Sequence, residues 1–209
     1  MNPENAIYIP WIVWAATWIA AALWANRTVK RPGGGREWPY RIFEFGGFFA
    51  LLAYIVQKPT SGHIGAIHIQ TVQVASGIAK RLWQLPVNAE WVLVGVATLG
   101  FLFAWWARLH LGRLWSGSIT RKEGHHVIDT GPYAIVRHPI YTGIIAAGLA
   151  TAAIKATPLA IFGALLLVVG YIMKGKLEEK FLREELGAET YNAYRRRVPM
   201  LLPFGPKSA

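Results

Sequence analysis

The sequence predicts an all-α polytopic membrane protein with about five transmembrane helices. Three observations carry that prediction. Apolar residues make up 54% of the 209 and charged residues only 16%, against about 25% charge in a typical soluble domain. The apolar residues gather into blocks of the length that crosses a hydrocarbon core of ~30 Å. The 22 basic residues fall between those blocks, as membrane flanks rather than as a continuous basic groove. The formal charge of +11 is therefore read as a membrane signature, and no nucleic-acid partner is expected. The chain has no cysteine, which excludes disulfides, Cys-ligated zinc and thiol nucleophiles. Its length suits one domain.

The first block, Ile7 to Ala25, holds no charge and is dotted with Trp11, Trp14, Trp18 and Trp24, the outer ones suited to the membrane interface. No basic residue precedes it, so it is read as a permanent span rather than a cleaved signal. Asn26 to Arg41 is a basic loop broken by Pro32 and glycines. Ile42 to Val56 is a shorter apolar run carrying Glu44, a carboxylate that either serves a function inside the membrane or pairs with nearby Arg41. Gln57 to Glu90 is ambiguous. Its alternating Ile67, Ile69, Val72 and Val74 hint at a strand, but an open strand edge does not sit in lipid, so an interfacial or re-entrant segment is expected. Trp91 to Ala107 is a third span. Pro139 to Ile154 and Thr157 to Met173 form a helical hairpin turned at Lys155 to Pro158. From Lys174 the chain is charged and mostly helical, with Glu179–Arg183 and Lys180–Glu184 at i,i+4 spacing and a break at Gly187.

Five spans put the Asn26–Arg41 loop, the Arg108–Arg137 loop and the tail on one side, together with 18 of the 22 basic residues. The positive-inside rule then places the N-terminus outside and the C-terminus in the cytoplasm.

Between the third and fourth blocks lies the densest polar stretch, Gly131 to Gly143 (GPYAIVRHPIYTG). Pro139 biases His138 toward extended backbone and suits the first turn of the following helix, whose free N–H groups favour anions. Arg137 carries a planar fork suited to a carboxylate, and Tyr133 and Tyr141 add aromatic faces with hydroxyls. The same residues also suit plain interfacial anchoring. Glu178 and Glu179 follow the fifth block. Adjacent helical residues point about 100° apart, so one carboxylate is expected to meet a ligand cation and the other to pair outward with Arg183; a solvated face is the alternative. His125 and His126 with His110 lack a ligand pattern, and no metal is expected. Neither a phosphate loop nor a Ser-His-Asp set appears.

The pattern Leu111-Gly112, Trp115-Ser116, His126, Gly131-Pro132-Tyr133, Arg137-His138-Pro139, Tyr141 and Gly143 resembles the isoprenylcysteine carboxyl methyltransferase family and the related phospholipid methyltransferases. The tail agrees through Glu178-Glu179, Leu182, Leu186-Gly187, Tyr191, Tyr194 and Arg197-Val198-Pro199. The resemblance covers roughly residues 101–204 as a cofactor-binding core, leaving 1–100 as N-terminal spans and a variable loop within one membrane domain (1–209). It implies a membrane enzyme using S-adenosylmethionine, with a cytoplasmic pocket closed by the loop before the fourth span and the helix after the fifth. Carried over residue by residue, His126 and Val127 would border the adenine. Tyr133, His138, Pro139 and Tyr141 would line the rest of the cofactor, and Glu178 with Glu179 would receive its amino group. Arg137 would hold a carboxylate of cofactor or substrate, so that Arg137, His138 and Glu178 are the expected catalytic residues. The acceptor implied is a lipid or lipid-like carboxylate or amine.

A second resemblance, in the Gly-Tyr-Arg-His-Pro pattern, is to membrane sterol reductases that use NADPH; the paired glutamates and the Arg-Val-Pro ending favour the methyltransferase. A non-enzymatic lipid-binding membrane protein is the third reading.

Overall fold

The computed structural model describes residues 1–23, 27–33, 35–53, 77–124 and 126–207. Seven helices and one two-stranded ribbon are described. Helix α1 (Pro3–Ala6) starts where the Asn2 side chain accepts the Asn5 N–H at 3.0 Å, and α2 (Tyr8–Ala22) continues it. Strand β1 (Thr28–Lys30) pairs antiparallel with β2 (Arg121–Lys122). Helix α3 (Trp38–Leu52) carries Pro39 in its first turn, where a missing N–H costs nothing. The others are α4 (Val87–Leu111), α5 (Pro139–Lys155), α6 (Pro158–Leu186) and α7 (Ala188–Arg197).

Among the described residues, three helical rods are long and apolar enough to cross a membrane: 3–22, 87–114 and 158–186. Helix α5 is apolar but shorter. Of the block expected at Ile42–Val56, residues 42–52 lie in α3, which begins four residues earlier and takes Arg41 and Glu44 into its first two turns, and residues 54–56 lie outside the described residues. At 15 residues it is shorter than the three long rods. The expected interfacial segment at Gln57 to Glu90 lies mostly outside the described residues, its last four residues opening α4.

The fifth apolar block and the charged tail after it are one uninterrupted helix, α6, begun by Thr157, whose hydroxyl accepts the Ala160 N–H at 3.2 Å. It ends at Gly187, whose φ of +99° turns the chain into α7. The hairpin between α5 and α6 turns through Ala156 in the left-handed region (φ +51°).

Close backbone approach sets the packing. Helix α4 crosses α5 at Gly100 and Gly143, where a methyl on Gly143 would strike the Gly100 carbonyl. Helix α3 crosses α6 at Gly47 and Gly163 in the same way. Small residues at such crossings let dispersion act between backbones, the main attraction left when both helices are surrounded by apolar chains. Trp11 plugs the bundle, edge-on to Phe48 and Phe101, its indole N–H donating to Thr151 Oγ1 at 2.9 Å. Large apolar side chains such as Ile12, Ile19, Leu99, Leu102, Phe162 and Leu165 face outward, exposed. So extensive an exposed apolar surface marks contact with a membrane or partner.

The two ends of the bundle differ. At one end Arg81 pairs with Glu4 and donates to the Ile154 carbonyl at 2.8 Å, while Lys155 donates to the carbonyls of Leu51 and Ala53. At the other, Lys30 and Arg121 of the ribbon converge on Glu185 near the end of α6. The three basic segments thus meet at one end.

Candidate active site

The pocket opens at that basic end, between the 111–128 loop, the 131–134 turn, the start of α5, the last third of α6 and α7. Gly131, with φ +56°, folds over the His110 ring and starts the turn that buries Pro132 and Tyr133. Arg137 lies at a bend and His138 caps α5 with φ −125° and ψ 64°, so the extended backbone expected of His138 before Pro139 is not reached.

The tail fastens this stretch. The Arg137 N–H donates to the Pro199 carbonyl (2.9 Å), the His138 N–H to the Met200 carbonyl (3.1 Å), and the Thr142 hydroxyl to the Leu201 carbonyl (2.6 Å). The N–H groups just before α5 are therefore bound by protein. Gly175 on α6 makes room for His138, since a Cβ there would lie 3.3 Å from the imidazole and 2.6 Å from Met200 Cε.

The two glutamates diverge as the helical rotation requires. Glu178 faces the pocket, accepts the Tyr141 hydroxyl at 2.7 Å and lies 3.6 Å from His138 Nδ1. Glu179 is buried behind it, accepts from Arg137 Nε at 2.7 Å, and lies 3.2 Å from His138 Nε2 and 3.1 Å from Arg195 Nε. The partner expected from spacing, Arg183, is replaced by cations from the interior. Arg137 likewise departs from expectation. Its fork, expected to hold a ligand carboxylate, is engaged by Glu179 and by the carbonyls of Arg195 and Val198. Its side chain is 1% exposed, and it joins α5 to α6 and α7.

His138 stacks on Tyr141, centroids 5.1 Å apart and planes within 5°. Tyr194 donates its hydroxyl to the Tyr133 carbonyl at 2.7 Å. Burial holds the Tyr133, Tyr191 and Tyr194 phenols well above their ordinary pKa, so all three remain neutral donors. His126 is exposed at the rim, its Nδ1 3.0 Å from the Gly124 carbonyl, and Val127 packs against the Tyr191–Tyr194 cluster. Of the residues singled out in the sequence, Arg137, His138, Glu178, His126, Val127, Tyr133, Pro139 and Tyr141 all line this pocket, and Glu179 supports it from behind.

Sequence reasoning missed Lys174. It is buried, 3.2 Å from Glu44, and lies over the rings of Tyr40, Tyr141 and Tyr171 at 5.4, 5.2 and 5.7 Å. Of the two readings given for Glu44, the pairing with Arg41 does not form, because Arg41 turns to Glu37 at i,i−4. A buried lysine one turn before two glutamates was a usable signal, but its partner lies on a distant helix.

This geometry sits within a recognised sequence pattern, that of the isoprenylcysteine carboxyl methyltransferase (ICMT) family, which matches residues 92–184. The family resemblance is borne out. The ICMT-like stretch runs from α4 almost to the end of α6 and holds both walls at Arg137-His138 and Glu178-Glu179. The chain is 38% identical over 137 residues to methanethiol S-methyltransferase 2 of Bradyrhizobium diazoefficiens, covering 60% of this chain and 51% of that one. It is 30% identical over 87 residues to protein-S-isoprenylcysteine O-methyltransferase B of Arabidopsis thaliana, covering 41% and 44%. It is 29% identical over 121 residues to the cobalt-zinc-cadmium resistance protein CzcN of Cupriavidus metallidurans, covering 56% and 53%. The chain spans about half the length of these curated relatives. Its ICMT-like core and its three long apolar helices make it an integral membrane protein.

Proposed function

We propose that this pocket binds S-adenosylmethionine and that the protein transfers its methyl group to a lipid or lipid-like acceptor at the cytoplasmic membrane face. One observation carries the reading. Glu178, bonded to the Tyr141 hydroxyl and beside His138, presents a carboxylate in a pocket walled by tyrosine rings. A carboxylate among aromatic faces is a receptor for organic cations, and the donor carries two cationic centres, an ammonium and a sulfonium. The residues present therefore fit it.

When bound, the donor supplies a sulfonium methyl carbon that is electrophilic without further activation. The chain's task is alignment and exclusion of water. Glu178 receives the ammonium, oriented by the Tyr141 hydroxyl. His126 and Val127 border the adenine, and Tyr133, Pro139 and Tyr141 line the remainder. Arg137 and Glu179 fix His138 in place. A carboxylate acceptor needs no base, whereas for an amine the His138–Glu178 pair takes the proton. The acceptor enters sideways between helices.

The same reading takes α2 to α6 as five spans, with the N-terminus outside and the basic end in the cytoplasm. A reporter fused after residue 207 is expected inside the cell; its appearance outside overturns the orientation. The name of the Bradyrhizobium relative favours a second acceptor class, a small thiol.

The test is isothermal calorimetry in detergent with S-adenosylhomocysteine. The parent chain should bind, and a His138→Ala, Glu178→Ala double variant should not; equal binding sinks the assignment. Incubation with methyl-labelled donor then separates acceptors, label in the lipid extract supporting the first class and volatile label the second.

A further inference from the structure

The segment 114–120 (Leu-Trp-Ser-Gly-Ser-Ile-Thr) forms part of the pocket wall, to which all but Gly117 and Ile119 contribute. Trp115 is buried beneath the Arg108 guanidinium, 4.3 Å from its ring. The Gly117 carbonyl accepts Lys174 Nζ at 3.3 Å. Ile119 is buried against Tyr40 and Phe181. These three contacts anchor the segment to the helices. Between and after them, Ser116, Ser118 and Thr120 give the pocket three hydroxyl-bearing side chains.

Thr120 is the telling member. It is 6% exposed, and its Oγ1 is buried without a hydrogen-bond partner among the described residues. A shielded hydroxyl has lost its water and gained nothing in return, and native proteins keep few such groups unless something else satisfies them. Nothing in its backbone setting requires threonine, because valine has the same shape and would remove the penalty.

We propose that Thr120 Oγ1 is a ligand hydrogen-bonding group, and that the Ser116–Ser118–Thr120 edge is the subsite for the oxygen-bearing part of the methyl donor. This rests on the donor reading above. The edge suits ligand oxygens and offers no charge, so it complements Glu178, which takes the cationic end. The oxygens it meets belong to the sugar or to the terminal carboxylate, both of which accept a hydrogen bond from a side-chain hydroxyl.

Calorimetry on the full chain in detergent tests this with Thr120→Val and Thr120→Ser. With S-adenosylhomocysteine as probe, Thr120→Val should bind roughly five- to tenfold more weakly, the loss of one hydrogen bond, and Thr120→Ser should bind nearly as the parent does. Without ligand, the thermal midpoint of Thr120→Val should equal or exceed the parent's. Methylthioadenosine, which lacks the amino-acid end, then assigns the contact. A loss that persists with it places the contact at the sugar, and a loss that vanishes places it at the carboxylate. If Thr120→Val binds S-adenosylhomocysteine as tightly as the parent, the inference is overturned while the donor reading stands. If the parent itself does not bind, the donor reading falls and takes the inference with it. Should Thr120→Val fold poorly, Ser118→Ala provides the same comparison, with a loss of affinity supporting the subsite and none overturning it.

Discussion

Replacing Glu179 by alanine removes the carboxylate on which Arg137, His138 and Arg195 converge. The Arg137 side chain is 1% exposed and that of Glu179 7%, so water cannot replace the lost partner without opening the structure. Breaking a buried ion pair from one side costs about 3–5 kcal/mol, because the remaining charge stays desolvated. At about 2–4 °C per kcal/mol for a chain of this size, the unfolding midpoint should fall by roughly 6–20 °C. Its neighbour is the control. Glu178 is 29% exposed and bonds one hydroxyl, so Glu178→Ala should cost only about 1 kcal/mol, or roughly 2–4 °C. Differential scanning fluorimetry in detergent measures both, and S-adenosylhomocysteine calorimetry below the lower midpoint measures the other half of the contrast. Glu178→Ala should lose ligand binding while staying folded. Two variants with equal midpoints, or a Glu178→Ala variant that binds as the parent does, would refute the division of labour between the adjacent carboxylates.

Lys174→Met strands the Glu44 carboxylate between α3 and α6 and should destabilise by about 3–5 kcal/mol; adding Glu44→Gln should recover most of it, as the two midpoints will show. Gly143→Ala forces α5 away from the Gly100 carbonyl of α4 and should cost about 1–3 kcal/mol, read as a lower midpoint with ligand affinity reduced in parallel.

The helices were legible because membrane apolarity is a bulk property. Blocks at Ile7, Trp91, Pro139 and Thr157 needed only a count of uncharged residues, and Pro139, Thr157 and Gly187 punctuated them by local rules that hold in any context. Helix α3 was misjudged at its start because Arg41 and Glu44 are satisfied by Glu37 and Lys174, and the second of these partners lies far along the chain. The site shows the same division. The residues that line the pocket could be named from the motif, and the 100° offset predicted that Glu178 and Glu179 would point apart, although the resemblance had put both at the donor's amino group. Which one would face the pocket, and that Arg137 would spend its fork on the other, depended on the path of the tail from Arg195 to Leu201. The alternation at Ser116, Ser118 and Thr120 is visible in the sequence, but only the anchoring of Gly117 and Ile119 away from the pocket shows which side meets it.

The carbonyls of Pro199, Met200 and Leu201 that hold Arg137, His138 and Thr142 are supplied some sixty residues after the groups they satisfy. At ~5–20 residues per second of synthesis, the first half of the pocket waits roughly 3–12 s for its second. During that interval the backbone on which His138 sits has no clasp. The clasp therefore forms only once the chain has been made through Leu201, and a chain cut after α6 keeps α1 to α6 but leaves this stretch unfastened.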